Sequence, residues 1–128
     1  MLNGLLPEKF NEDELLLRAV RMSPDYWRND KLSSAAFKDA HGLSVERTHT
    51  RTVQECITHI RSYLKGSIVS LSLEDCASVK AIVRYKPTTN IYHCEIHGSH
   101  DRVVLDTPQA FELANRAKIV FDIRVTTT

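Results

Sequence analysis

Apolar and polar positions alternate along residues 43–47, 67–73, 79–85 and 91–97, the period of strands with one buried face. Val69, Leu71 and Leu73 point inward in the second run, and Val79, Ala81, Val83 and Tyr85 alternate with Lys80 and Arg84 in the third. Between the first two runs the period changes. Val53, Ile57, Ile60 and Leu64 recur at helical spacing, Thr52 with Glu55 forms a capping box, and Gly66 is a stop signal. These predict a helix over 53–65. A second helix is expected over 108–118, with Thr107 as cap, Pro108 at its first position and Phe111, Leu113, Ala114 and Ala117 as its apolar side. Leu15–Arg21 stops almost at once at Ser23-Pro24, so its length favours a buried strand, although Asn11 and Glu14 could form a capping box.

The remaining pieces are shorter. Ser23–Arg28 looks like a one-turn helix with Trp27 as a core anchor, followed by a turn at Asn29-Asp30-Lys31. Residues 32–38 fit a short helix or an irregular extended run. Residues 74–78 fit a turn or a single helical turn, 102–105 an extended segment, and 119–123 a closing strand. The sum is an α+β fold: a single domain over 13–124, with a twisted mixed or antiparallel sheet and two main helices. Residues 1–12 form an irregular leader and 125–128 a frayed tail.

Composition changes this picture little. The 128 residues are 42% hydrophobic and 26% charged, ordinary for one globular domain. A net charge of +1 provides no overall field for nucleic acid or an anionic membrane, so a nucleic-acid partner would need a local basic patch. The three cysteines are irregularly spaced, as expected of reduced thiols in the cytoplasm. No signal peptide and no membrane-spanning stretch is expected.

The densest chemistry lies on the strand 91–97. His93, Glu95 and His97 share one face, while Tyr92, Cys94 and Ile96 take the other. Neighbouring members stand about 7 Å apart along a strand. The expectation is that they are too far apart to bond directly but close enough to converge on one ligand. His93, Cys94, His97 and His100 carry metal-type donors, but adjacent residues point to opposite faces, so no metal site is expected. Arg18 and Arg21 flank an apolar strand. They suit an anion clamp, or pairing with Glu14 or Asp25. Ser33, Ser34 and Ser44 supply hydroxyls, the first two also fitting a helix cap, and with no G-x-S-x-G elbow or phosphate loop no hydrolase nucleophile is expected. Arg47, His49 and Arg51 form a basic run.

Leu17-Arg18-Ala19-Val20, Trp27, the run Leu32–Arg47 and the run Asn90–Gly98 resemble a scattered group of small, uncharacterised bacterial proteins. That resemblance implies one small cytosolic domain. The order Arg18, Ser33 or Ser34, Glu95 is also similar to the ADP-ribosyltransferase-like fold, including toxin domains of the RES type. It implies Arg18 on NAD phosphates, a serine shaping the nicotinamide pocket and Glu95 serving the reacting ribose.

The function expected is a binding or interaction module for a protein or a small anionic ligand. Its polar cleft would be formed by Arg18 and the segments 33–47 and 93–97, with Arg18, Ser33, Ser34 and Arg47 on the ligand and His93, Glu95 and His97 as the candidate catalytic groups, and no cofactor is expected. The alternative is an enzyme acting on NAD or, as a metal-independent ribonuclease, on RNA. The ribonuclease would use His93 or His97 as acid/base and Arg47 or Lys86 against the phosphorane. Partner identity and oligomeric state are not encoded in these patterns.

Overall fold

In chain order the elements are β1 (Leu15–Val20), β2 (Trp27–Arg28), β3 (Lys31–Leu32), a 3-10 turn (Ser34–Phe37), β4 (Leu43–Arg47), α1 (Val53–Arg61), β5 (Ser67–Ser72), α2 (Leu73–Ser78), β6 (Ile82–Tyr85), β7 (His93–His97), α3 (Thr107–Arg116) and β8 (Lys118–Phe121). They come from a computed structural model that describes residues 4–125. The first three residues of the expected leader and 126–128 of the expected frayed tail lie outside the described residues. Six strands form one antiparallel sheet in the order β6-β7-β4-β1-β5-β8, and β2-β3 is a separate hairpin. The fold is α+β.

The two sheet faces are treated differently. Leu16, Val20, Val45, Leu71, Cys94 and Ile96 lie in the larger core with Trp27, Phe37 and the apolar sides of α2 and α3. Leu17 and Ile68 face the other way, under Cys56, Ile57 and Ile60 of α1. That second cluster draws only on β1, β5 and β8 among the strands. Among the described residues the β4–β7–β6 half of the same face carries no buried apolar cluster, and apart from Ile82 its strand residues are the polar members of the alternation.

Several expected elements shift, each for a local reason. Trp27 and Arg28 are strand rather than helix, because Asn29 and Asp30 both take positive φ and turn the chain back as a two-residue hairpin. Residues 74–78 belong to a six-residue helix opened by a Ser72–Asp75 capping box. Lys80, at φ +61°, follows that helix, so β6 begins only at Ile82 and Val79 stays out of the ladder. Asp106, not Thr107, caps α3 in a reciprocal box with Gln109. Phe111 falls on the outer side of α3, 60% exposed. The inward position is held by Gln109, whose amide donates to the Val79 and Gly98 carbonyls at 2.9 and 2.8 Å.

Residues 4–12 of the leader are irregular but anchored. Arg47 donates to the Pro7 carbonyl at 2.6 Å and lies over the Phe10 ring, and the Leu6 amide donates to the Tyr85 hydroxyl.

Candidate functional site

Strand register assembles the polar half-face. Leu17 pairs with Glu46, Glu46 with His93, and Ser44 with Glu95, which in turn pairs with Arg84. Alternation then places Ser44, Glu46, His93, Glu95, His97 and Arg84 on the side where α1 packs. α1 ends at Arg61 and packs mainly over the other half of the sheet, so Ser44 stays exposed and His93, Glu95 and Arg84 half-buried, while Glu46 and His97 are buried.

β1 and β4 pair only at Leu16↔Arg47 and Leu17↔Glu46, whereas β1 and β5 pair along six residues. Beyond Leu17 the two strands part, and Arg18 enters the opening. Its Nη1 donates to the Ser44 carbonyl at 2.9 Å and its Nε to the Ala36 carbonyl at 3.1 Å. The guanidinium thus stands where backbone N–H groups would otherwise close the ladder. A cleft of about 250 Å³ occupies the gap, lined by Leu17, Arg18, Ala19, Ser44, Val45, Glu46 and His93, with Ile60, Tyr63 and Leu64 from the end of α1 and the turn after it. Burial pulls the Arg18 guanidinium below its ordinary value, and Asp39 and Tyr26 pull it back up only in part. No carboxylate lies within 4 Å of it among the described residues.

The histidines of β7 have opposite fates. The Nδ1 of His93 is 2.8 Å from the Lys86 carbonyl, so it carries the proton and donates. Its Nε2 is left as an acceptor and takes the Ser44 hydroxyl proton at 3.3 Å. His97 is 7% exposed and both ring nitrogens are occupied: Arg84 Nε donates to Nδ1 at 3.3 Å, and Nε2 donates to Glu95 at 2.8 Å. This corrects the expectation that Glu95 and His97 stand too far apart to bond. The strand rise separates their backbones, but long side chains lean along the strand and close the distance. Gly42, at φ +104°, permits the contact, since a Cβ there would sit 2.5 Å from the Glu95 carboxylate.

Glu46 is the buried hub of the face, 2% exposed. It accepts from His59 Nδ1 at 2.6 Å, Tyr63 Oη at 2.6 Å and Asn90 Nδ2 at 3.1 Å, and pairs with Arg51 at 2.8 Å. Burial pushes its carboxyl up, but these donors outweigh burial and hold it below the ordinary range. Burial and the same carboxylate push the Tyr63 phenol up, so it stays a donor. Arg51 is stacked on Tyr92, 3.4 Å from the ring centre.

Of the residues expected to share a cleft, Arg18 and His93 do so. Glu95 and His97 lie beyond it, tied to each other. Ser33 and Ser34 line a different cleft with Arg28 and Phe111, and the Ser33 hydroxyl donates to the Asp25 carbonyl. Arg47 is fully buried, its guanidinium held by Glu14 at 2.8 and 2.7 Å and by the Pro7 carbonyl, so it cannot meet a ligand or a phosphorane. Within the expected 33–47 segment it is Ser44 and Glu46 that line the cleft, and Tyr63 and Leu64 join them from the end of α1 and the turn after it. Their signal was the polar member of an alternating strand and the last turn of an amphipathic helix.

No protein-family model, curated protein or solved structure matches the chain. Among the described residues, no cluster of three or more His, Cys, Asp or Glu side chains is placed to hold a metal ion. None of their helices is long and apolar enough to cross a membrane.

Proposed function

We propose that the protein is a binding module whose ligand is a small anion with a short apolar portion, seated in the gap between β1 and β4. One observation carries this reading: Arg18 is a largely buried cation in the cleft with two carbonyl acceptors and, among the described residues, no carboxylate within 4 Å. A buried guanidinium is costly to leave without a counter-charge, and its planar fork suits a carboxylate or phosphate. Leu17, Ala19, Ile60 and Leu64 supply the apolar wall. The volume of about 250 Å³ limits the occupant to something smaller than a drug-sized ligand. Cys56, Cys76 and Cys94 are free and buried, with thiols pushed up to about 12 by burial, which fits a cytoplasmic setting.

The test is a thermal-shift and calorimetric panel of short-chain carboxylates, inorganic phosphate, nucleotides, NAD and RNA, run on the natural chain and on Arg18→Met. Saturable binding of a small carboxylate or phosphate that Arg18→Met abolishes supports the proposal. Binding confined to RNA, or binding that Arg18→Met leaves unchanged, overturns it.

A further inference from the structure

The same cleft holds a nucleophile–base pair. We propose that Ser44 is an activated nucleophile, with His93 as its general base, and that the cleft turns over small esters with a short apolar acyl group. The inference rests on the cleft reading above, because Ser44 and His93 line the same cleft.

Three features converge. The Ser44 hydroxyl donates to His93 Nε2 at 3.3 Å, the relation a serine needs in order to lose its proton as it attacks. The imidazole is oriented from behind: Nδ1–H donates to the Lys86 carbonyl at 2.8 Å, which fixes the tautomer that leaves Nε2 basic. A carbonyl here takes the position that a carboxylate holds in a Ser-His-Asp triad. The pair also opens onto a substrate-sized space, since both residues line the cleft with Arg18 and the Ile60 and Leu64 side chains. Nothing in the packing requires this arrangement, because Ser44 is exposed on a strand whose inward residues are Leu43 and Val45.

The chemistry balances with water as the only co-reactant. Ser44 Oγ bonds to the ester carbonyl carbon while its proton passes to His93 Nε2, and the carbonyl π pair becomes an oxyanion. Collapse breaks the carbon–alkoxide bond, and the alcohol leaves with the proton from His93. Water, deprotonated by His93, then attacks the acyl-Ser44 carbonyl. A carboxylic acid departs and the serine is restored.

A fluorophosphonate probe tests this on the folded full-length chain, with the modified residue found by peptide mass spectrometry. The expected result is a single adduct on Ser44. It should form roughly a hundredfold more slowly in His93→Gln. Denaturation should abolish it, and Ser44→Ala should lack it. p-Nitrophenyl butyrate hydrolysis should fall in parallel. No Ser44 adduct on the folded chain, or labelling equally fast in His93→Gln or in denaturant, overturns the proposal. If small anions bind through Arg18 while Ser44 stays unlabelled, the nucleophile fails and the binding reading stands. If neither occurs, both fail.

Discussion

Arg18 and Arg47 sit on neighbouring strands and point to the same side of the sheet, yet they live under opposite conditions. Arg47 is paired across the ladder with Leu16, and alternation puts Arg18 on Leu16's side. Arg47 is closed in by a carboxylate, two backbone carbonyls and two aromatic rings, with its side chain and that of Glu14 fully buried. Arg18 has carbonyls only and borders open space. A cation sealed from solvent with a carboxylate on two of its nitrogens and a carbonyl on the third is a structural device. A desolvated cation with no carboxylate in contact among the described residues is a site that can take an anion. The difference lies in partners rather than in residue type.

The sharpest way to break that contrast is to disturb the sealed pair. Arg47→Met leaves the Glu14 carboxylate buried without its cation, and the expected loss of unfolding stability is about 3–5 kcal/mol. Urea denaturation measures it directly. Adding Glu14→Gln to Arg47→Met should recover part of the loss, because no charge then remains buried. A loss under about 1 kcal/mol would mean the pair is no more structural than a surface ion pair.

Glu46 comes next. Glu46→Gln keeps the shape but places an amide among donors from Arg51, His59, Tyr63 and Asn90, at a cost of about 2 kcal/mol. The pH response sharpens this. Burial raises Glu14 and Glu46, but hydrogen bonds and ion pairs outweigh it, and both carboxyls end below their ordinary value of 4.5 in the folded chain. A depressed carboxyl contributes stability that is complete above the unfolded value and is lost as pH falls through the folded one. Unfolding free energy should therefore drop as the pH is taken below 4.5, and the drop should be shallower in Glu46→Gln. A flat acid limb in the natural chain would show that neither network holds its charge.

The two β7 histidines give a smaller effect with the same logic. His97→Ala removes a buried ring bonded at both nitrogens, so about 1–2 kcal/mol should be lost. His93 is only half-buried, and His93→Ala should cost under about 0.5 kcal/mol. Equal costs, read by chemical denaturation of both variants, would remove the distinction between a structural and an available imidazole.

Much of this was legible in the sequence, and the exceptions have physical causes. Alternation found β4, β5 and β7, and Thr52 with Glu55 found α1, because these signals are local. The shared face of His93, Glu95 and His97 followed from strand period alone. What the chain does not spell out is strand order. That β4 lies between β7 and β1 is what brings Ser44 to His93 and Arg18 to Ser44, and no spacing in the sequence encodes that adjacency. Arg47 shows the same limit from the other side. Its partner Glu14 stands far back in the chain, so the basic run Arg47–Arg51 resembled a surface patch, whereas two of its arginines are held by Glu14 and Glu46. The serines at 33 and 34 were drawn into the site by position in the chain, but the β2–β3 hairpin carries them to another cleft.

The smallest change in stability is expected at the residue with the most functional weight. Arg18→Met removes a desolvated charge and replaces it with an apolar chain of similar reach. The hydrogen bonds to the Ala36 and Ser44 carbonyls are lost, but so is the burden of an unpaired buried cation. These terms oppose each other, and the unfolding free energy should stay within about 1 kcal/mol of the natural chain, on either side. Anion-induced stabilisation should vanish in the same variant. That combination separates the two arginines: Arg47 should cost stability with no bearing on a ligand, and Arg18 should cost ligand with little bearing on stability. An Arg18→Met chain as damaged as Arg47→Met would mean that the guanidinium holds β1 and β4 in place, and the gap between them would then be a feature of packing rather than a binding site.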